Sequence, residues 1–484
     1  MTKIAALALS VTLALSTASL AQSPTINAPY TFELGYPTPD TAQRARDDAD
    51  LQRAVTAYRF WYPAVSVEGI FNGSRAIGIK DNEAVSIGAA SPLQVGFTLN
   101  SDTPYGSGTF DLSDGPMVIE MPAGAYIGLV DDHYQGWILD MGLPGPHGDK
   151  GGKHLVLPPG YRGEVPAGYQ VGQSVSNKVL LAIRSLPDGG NVPGAMDALR
   201  KIKIYPLASV ADPKLLAFVD TTNTAMDSTS LKWEGNIQFW EKLHGIIEAE
   251  PLVEKYLPMY GLLSALGIEK GKPFAPDARM KAILERAATE GLGQLLVSAF
   301  ASDRPDRLAW PDRTWEWAGL VPDSAQFETP AGIDLEARDR WFAQAIVTSP
   351  AMFRRSSGAG SLYWLAARDG AGTYLDGAKS YRLSIPQPVP GKLFWSVTAY
   401  DSQTRSEVQT DQNKAALRSL FELKNVAADK PTDLYFGPTP PAGHEDRWIN
   451  TVPGRGWFAY LRIYGPEQAA FDKSWKPGDF EEVK

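Results

Sequence analysis

Two carboxylates and an imidazole follow one another at the end of an apolar stretch. Asp131, Asp132 and His133 come directly after the run Tyr126–Val130, which is predicted to form a strand. Adjacent carboxylates repel each other, which raises the pKa of one of them or attracts a cation. A carboxylate beside an imidazole could then act in acid/base catalysis. The alternative is a solvated turn after the strand.

Three of the five histidines, His133, His147 and His154, lie within 22 residues of sequence. Imidazole and carboxylate groups suit Zn, Mn or Fe, and three such ligands leave a coordination position open for catalysis. We therefore predict Asp131, His133 and His154 as metal ligands, with a divalent metal as the candidate cofactor. The loop from Gly142 to Lys153 is glycine-rich, which also fits a second interpretation in which the histidines are exposed loop residues.

A second candidate site is the sequence Asn100-Ser101-Asp102-Thr103-Pro104-Tyr105, which lies between two predicted strands. Asp102 could act as a general base or a metal ligand, and Tyr105 as a hydrogen-bond donor at the mouth of a pocket. Asn and Asp before a proline also form ordinary turns, because their side chains bond to their own backbone. A structural turn with Tyr105 packed beneath it is therefore the alternative.

Arg405 follows the strand-end acid Asp401 in the C-terminal part of the chain. Its guanidinium group could grip a carboxylate or a phosphate through two parallel hydrogen bonds, or could pair with Asp401 to fix the turn. Arg184 and Arg462 each lie inside an apolar strand, which predicts structural ion pairs. The predicted catalytic residues are therefore Asp102, Tyr105, Asp131, His133 and Arg405.

The composition excludes several classes of protein. The 484 residues include 46 Lys+Arg and 55 Asp+Glu, and the resulting net charge of −9 argues against nucleic-acid binding. Because cysteine is absent, disulfides, thiolate nucleophiles, iron–sulfur clusters and Cys-ligated zinc are excluded. The P-loop, G-x-G-x-x-G, G-x-S-x-G and H-E-x-x-H motifs are absent as well.

The start of the chain is typical of a secretory signal peptide. Lys3 is followed by the apolar stretch Ile4–Leu15 and by the small-x-small site Ser19-Leu20-Ala21. The apolar stretch is too short to span a bilayer, and no later segment is apolar enough to do so. We therefore expect residues 1–21 to be removed and the mature protein to be periplasmic or secreted.

The pattern of the remaining chain changes from helix to strand and back again. Helical spacing from 41 to 62, which we expect to end at Pro63, is followed by short strand-type runs up to about residue 206. Helical periodicity returns after residue 230, with Asp277 as the N-cap of one helix and a further helix from Asp334 to about Thr348. Strand-type runs then resume between residues 380 and 464.

This order of elements predicts a mainly β protein with two β-sandwich or jelly-roll-like domains and an α-helical segment between or beside them. The predicted limits are residues 1–21 for the signal peptide, 22–230 for the N-terminal β domain, 231–350 for the helical segment and 351–484 for the C-terminal β domain.

The chain resembles domain of unknown function 1254 at residues 100–105, at 151–161 (Gly-Gly-Lys-His-Leu-Val-Leu-Pro-Pro-Gly-Tyr) and at Arg184. It resembles the usual companion of that domain, domain of unknown function 1214, at Phe394–Asp401, Thr404–Ser406, Tyr435–Pro438 and Arg462–Pro466. The two resemblances follow the expected order and cover nearly the whole mature chain. They imply exported bacterial proteins with two β-sandwich or jelly-roll domains, for which no reaction is settled. The chain has His147 and His154 where these proteins commonly have Asp and Tyr.

Two hypotheses for the function follow. The first is a hydrolase-like enzyme that acts on a small organic or glycan-type substrate, with the strand-end acids and His133 in acid/base or metal roles and Arg405 orienting an anionic group. The second is a non-catalytic periplasmic protein that binds a ligand or assembles the envelope, as a monomer or a homo-oligomer. The expected partner is thus a small molecule or a glycan, with no nucleic acid and no membrane span.

Overall fold

The computed structural model describes residues 29–358, 360–427 and 429–483, so the predicted signal peptide at 1–21 lies outside the described residues. The chain divides into two compact units, residues 1–49 and 50–484. In the first unit, strand Phe32–Glu33 pairs antiparallel with Tyr36–Pro37, and α-helix Pro39–Ala76 begins. Everything described below belongs to the second unit.

The prediction that the first helix ends at Pro63 is wrong, because the helix continues to Ala76 with Pro63 inside it. A proline inside a helix removes one backbone hydrogen bond and costs about 3 kcal/mol or more. Large side chains on both sides of it are fully buried, among them Trp61, Tyr62 and Phe71. Burial of each such side chain contributes about 1.5–3 kcal/mol, which offsets the cost of the proline.

Two sheets form the N-terminal sandwich. In spatial order, the six-stranded sheet consists of Ala217–Asp220, Ala84–Ala89, Pro104–Asp111, Lys178–Ser185, Tyr126–Asp132 and Trp137–Gly142. The four-stranded sheet consists of Gln170–Gln173, Gly152–Leu157, Met117–Met121 and Lys203–Pro206. One buried cluster joins the two sheets, with Phe110, Val130 and Leu181 from the larger and Val156 and Ile204 from the smaller.

The C-terminal sandwich is built in the same way. Its five-stranded sheet consists of Glu316–Trp317, Ser361–Ala366, Trp457–Pro466, Gly391–Asp401 and Ala416–Arg418. Its four-stranded sheet consists of Trp448–Asn450, Thr432–Gly437, Ser380–Ile385 and Phe480–Val483. Val397 and Leu461 of the first sheet share a core with Leu383 and Phe436 of the second. The predicted fold class is therefore confirmed.

In sequence, the α-helices Gln238–Ala249, Leu257–Ala265 and Ala278–Phe300 lie between the strands of the N-terminal sandwich and those of the C-terminal one. The helices Leu335–Phe342 and Pro350–Phe353 follow strand Glu316–Trp317, and the short helix Val192–Leu199 lies within the N-terminal part. The predicted domain limits stay predictions.

Asp277 caps its helix as predicted, since its side chain accepts a hydrogen bond from the backbone N–H of Met280. Within the described residues, no helix combines the length and the apolar character that crossing a bilayer requires.

The helix predicted from Asp334 to Thr348 ends at Phe342 instead. Beyond it, Val347 takes a left-handed φ of 67°. The backbone N–H groups of Val347 and Thr348 donate to the side chains of Gln135 and Asp131, both at 2.7 Å. The helix stops because distant side chains, rather than helical carbonyls, accept these hydrogen bonds.

Candidate functional site

Strand alternation gives the five-stranded sheet a second buried face. In strand Trp457–Pro466, Leu461 and Ile463 point into the core of the C-terminal sandwich, whereas Arg462 and Tyr464 point to the opposite face. The cross-strand partners of Arg462 are Tyr363 and Ser396. All of these side chains are buried, so the N-terminal part of the chain covers this polar face.

The segment Phe97–Asp102 of the N-terminal part is attached to this face mainly through its backbone. The carbonyl of Thr98 accepts hydrogen bonds from Arg462 Nη2 at 3.1 Å and from the hydroxyl of Tyr400 at 3.3 Å. The N–H of Thr98 donates to the carbonyl of Arg405 at 2.8 Å. A loop without regular hydrogen bonds of its own is thus fixed by the other sandwich.

Asp102 is buried at the end of this segment with 1% of its surface exposed. Its Oδ2 accepts hydrogen bonds from the hydroxyl of Ser396 at 2.8 Å and from that of Tyr464 at 3.0 Å. Its Oδ1 has no hydrogen-bond partner among the described residues. The carboxylate predicted from the sequence is therefore at an interface between the two sandwiches, with one oxygen still able to accept a proton or a hydrogen bond.

Two cavities lie between the facing sheets. The larger has a volume of about 170 Å³, and the smaller of about 70 Å³. Side chains from both sandwiches line the larger cavity, including Leu180 and Ala182 from one and Tyr460 and Arg462 from the other. The residues that line both cavities, and so form the boundary between them, are Tyr105, Ala182, Arg184, Val347, Met352 and Tyr363.

Tyr105 and Arg184 form the polar part of this boundary. The guanidinium of Arg184 stacks on the ring of Tyr105, 4.6 Å from its centroid, and donates to the hydroxyl of Tyr464 at 3.1 Å. The hydroxyl of Tyr105 accepts a hydrogen bond from Asn100 Nδ2 at 2.8 Å, which leaves its own proton for a ligand. Burial raises the pKa of Tyr105 to about 12, so this hydroxyl is a donor at neutral pH.

Glu407 is a second buried carboxylate beside Asp102. Its Oε1 accepts hydrogen bonds from the backbone N–H of Ser101 at 2.9 Å and from the Ser101 hydroxyl at 3.0 Å. Burial, with repulsion from Asp102, raises the pKa of Glu407 to about 7. This group can take up or release a proton near neutral pH, and the sequence analysis did not single it out.

His133 lies elsewhere, between two glutamates. Its Nδ1 is 2.8 Å from Glu250 Oε1, and its Nε2 is 3.1 Å from Glu68 Oε1. Glu250 also accepts hydrogen bonds from the backbone N–H groups of Asn177 and Lys178. His133 is fully buried, and neither its partners nor its ring line the cavities. The structure therefore does not bring His133 together with Asp102 and Tyr105.

Asp131 contacts the wall of the cavities indirectly. Its Oδ2 accepts the hydrogen bond from the N–H of Thr348, next to the lining residue Val347. Burial raises the pKa of Asp131 well above its usual range, and repulsion by Asp132 adds to this. The predicted carboxylate repulsion is thus present, but Asp131 positions a loop and does not line either cavity.

The predicted metal set of Asp131, His133 and His154 is not assembled. His154 lies in a buried strand, where its Nδ1 faces the carbonyl of Ile119 at 3.2 Å, and burial lowers its pKa to about 4. Asp131 and His133 have the separate partners described above. In the described part of the chain, no group of three His, Asp or Glu side chains is placed to hold a metal ion.

Arg405 does not pair with Asp401, so that alternative is wrong. Asp401 forms a two-point ion pair with Arg455, with both distances at 2.7 Å. Arg405 is buried, pairs with Glu234 at 2.7 Å and stacks on the ring of Phe97, 4.5 Å from its centroid. Arg405 lines neither cavity, whereas its contacts Phe97 and Thr98 line the larger one, so Arg405 supports the site from behind.

Arg184 and Arg462 are the site residues that the sequence analysis interpreted differently. Among the described residues neither has a carboxylate within ion-pair distance, so the prediction of structural ion pairs is wrong for both, and both line the larger cavity. The signal in the sequence was their position inside apolar strands, where a charged side chain needs a partner. The strands themselves do not show that these two side chains face a cavity between the sandwiches.

Regions of the chain match two family models. Residues 86–206 match the model described as a protein of unknown function, DUF1254, and residues 360–468 match the model described as a protein of unknown function, DUF1214. The order agrees with the resemblance found in the sequence. Strands Pro104–Asp111 and Lys178–Ser185 lie in the first region, and strands Gly391–Asp401 and Trp457–Pro466 in the second. The cavities therefore lie where the two regions face each other.

Two solved structures align with most of this chain. The VPA0106 protein from Vibrio parahaemolyticus is 18% identical, with 90% of this chain and 100% of that chain covered and a TM-score of 0.57. An uncharacterized protein from Burkholderia cenocepacia is 15% identical, with 92% and 90% covered and a TM-score of 0.39. No curated protein matches the chain. The first likeness concerns the fold alone.

Proposed function

We propose that this chain, which combines a DUF1254 region with a DUF1214 region, binds a small and largely apolar organic molecule in the larger cavity. The observation that carries the proposal is the cavity of about 170 Å³ between the facing sheets. Ligand sites are typically concave and mostly apolar, with a few convergent polar groups that fix orientation. Here Phe97, Leu180, Met226 and Ile346 supply apolar wall, and Arg184 and Arg462 are the charged side chains of the lining.

The location of the tryptophans supports a small organic ligand over a glycan. Trp310, Trp315, Trp364 and Trp395 belong to the buried core of the C-terminal sandwich. Sugar-binding sites use exposed aromatic faces on which a ring can stack, and these side chains do not offer them. The proposed ligand is therefore enclosed between the sandwiches rather than laid on a surface.

Filling the cavity should abolish binding. Ala182 lies on the cavity-facing side of strand Lys178–Ser185, and Ala182→Leu adds an isopropyl group between the two cavities. We expect its affinity for a ligand found by thermal-shift screening to fall at least about tenfold, as measured by calorimetry. Ala217→Leu, on an exposed strand of the same sheet, is the control and should bind as the wild type does. Equal affinity in both variants would place the ligand elsewhere.

A second candidate function is hydrolysis of the bound molecule, and the observation that favours it is Asp102. Asp102 does not itself line either cavity, but it lies close to the phenol of the lining residue Tyr105. One oxygen of this buried carboxylate is held by two hydroxyl groups, and the other is free of protein partners in the described structure. Asp102 would then act as general base and Tyr105 as hydrogen-bond donor, roles that typically contribute 10²- to 10⁴-fold.

The test uses nitrophenyl esters and nitrophenyl glycosides with the purified protein. Asp102→Asn keeps the shape of the side chain and its two hydroxyl contacts but removes the base, so any activity should fall by about 100-fold or more. Asp472→Asn, in an exposed loop, is the control. Activity that survives in Asp102→Asn would exclude Asp102 as the base, and a wild type without activity would leave binding as the function.

A further inference from the structure

Among the described residues, two of the three arginines that are at most 2% exposed pair with a carboxylate, and the third lines the cavity. Arg340 is fully buried and pairs with Glu316 at 2.7 Å, and Arg405 is 1% exposed and pairs with Glu234 at the same distance. Arg462 is 2% exposed, yet no carboxylate of the described residues lies within 4.0 Å of it. Burying a charge without a counter-charge is costly, so this arrangement is unusual within its own fold.

The contacts of Arg462 are all to neutral groups. Its Nη1 donates to the hydroxyl of Thr398 at 3.2 Å and its Nη2 to the carbonyl of Thr98 at 3.1 Å, while its Nε has no partner in the described structure. Arg184 contributes a second guanidinium, held by the hydroxyl of Tyr464 and the ring of Tyr105. Neutral hydroxyls and rings orient a guanidinium but do not neutralise it.

Burial raises the pKa of Glu407 to about 7, so it carries no charge once protonated, and Arg418 is neutralised by Glu422. The remaining charges around the cavity then sum to one positive charge. Arg184 and Arg462 contribute two, and the one carboxylate bonded into this network is Asp102, which shares the hydroxyl of Tyr464 with Arg184. Both guanidinium groups line the larger cavity, where their like charges repel each other. A ligand with a single negative charge would therefore neutralise the cavity, whereas a ligand with two would leave an excess negative charge beside Asp102.

We propose that the ligand is an apolar monocarboxylate, an aliphatic or aromatic acid whose carboxylate lies between Arg184 and Arg462. The fork of guanidinium donors matches a carboxylate, and the proton of Tyr105 supplies a further hydrogen bond. The apolar remainder of the acid lies against Phe97 and Leu180. This inference rests on the proposed binding function and adds the chemical class of the ligand.

The first test needs no ligand. Arg184→Met removes one of two repelling charges and leaves no carboxylate without an ion-pair partner. We therefore expect the melting temperature of the ligand-free protein either to rise or to fall by no more than about 2 °C. Arg340→Met is the matched control: it removes the buried partner of Glu316, which keeps only Arg307, and it leaves the carbonyls of Ala299 and Trp317 without this donor, so the melting temperature should fall clearly. A drop in Arg184→Met as large as that in Arg340→Met would assign Arg184 a structural ion-pair role and overturn the inference.

The second test compares acids with their neutral and doubly charged analogues. Hexanoate, octanoate, benzoate and phenylacetate are titrated by calorimetry beside their primary amides and beside hexyl phosphate. We expect the wild type to bind at least one acid about tenfold or more tightly than its amide and than hexyl phosphate, and Arg184→Met to lose this preference. Amides or hexyl phosphate that bind as tightly as the acids, or a preference that survives in Arg184→Met, would overturn the inference.

The two proposals fail in different ways. If amides bind as well as acids and Ala182→Leu abolishes the binding of both, the cavity is a ligand site and only the charge of the ligand is wrong. If neither acids nor amides bind to the wild type, the monocarboxylate is wrong. If, in addition, no compound of the thermal-shift screen distinguishes Ala182→Leu from the wild type, the proposed function is wrong as well.

Discussion

Glu250→Ala should destabilise the protein by about 3–5 kcal/mol, as expected when one partner of a buried ion pair is removed. Glu250 is the closer partner of His133, with 2.8 Å between the carboxylate and Nδ1. It also accepts the backbone N–H groups of Asn177 and Lys178, which alanine would leave unsatisfied. The free energy of unfolding in urea measures the loss.

Glu250→Gln separates the two contributions. The amide oxygen can still accept the backbone hydrogen bonds, but the side chain no longer neutralises His133, so we expect a loss smaller than that of Glu250→Ala. Glu248→Gln, on the exposed end of the same helix, is the control and should change stability by less than about 0.5 kcal/mol. If Glu250→Ala behaved like the control, the buried triad of Glu68, His133 and Glu250 would not contribute to stability.

The effect of Glu250→Gln should depend on pH. Burial alone would lower the pKa of His133, but its two glutamate partners raise it above 6.5, so the stabilisation is fully present below pH 6.5 and is lost as the pH rises through the raised pKa. Burial would raise the pKa of Glu68, but His133 brings it down from 4.5 to about 2, so this contribution is present above pH 4.5 and is lost as the pH falls. Glu68 is present in both proteins, so its contribution cancels from their difference. The difference between wild type and variant should therefore be largest just below pH 6.5 and should shrink as the pH rises through the raised pKa of His133.

Arg405→Met should cost a similar amount, about 3–5 kcal/mol, because it leaves the buried carboxylate of Glu234 without its charged partner. The hydroxyl of Tyr62 also donates to Glu234, but a single neutral donor does not replace a guanidinium. Thermal or urea unfolding of the purified variant measures the loss.

A double variant tests whether the two side chains act as a pair. Arg405→Met combined with Glu234→Gln removes both charges, so the loss should be smaller than the sum of the two single losses by about 1 kcal/mol or more. The opposite result would be strictly additive losses, with each variant as stable as the wild type but Arg405→Met unable to bind the ligand. That result would place Arg405 in the site itself, as predicted from the sequence.

Short-range patterns in the sequence were enough to predict several parts of the structure. Alternation and turn residues predicted two β sandwiches, because a strand that is buried on one face shows its period of two locally. Asp277 could be predicted as a helix cap because the bond it forms is to a residue three positions later. The motif around Asp102 and Tyr105 was recognised, and both residues lie at the cavity boundary or directly behind it.

Only the tertiary structure decided which residues share a site. Asp102 meets Ser396 and Tyr464, 294 and 362 residues further along the chain, and no local pattern encodes such contacts. His133 looked like an acid/base group because its neighbours in sequence are acids, but its partners are Glu68 and Glu250. Strand periodicity tells which face a side chain is on and not what that face packs against. For this reason the roles of Arg184 and Arg462 became visible only when the two sheets were seen to face each other across a cavity.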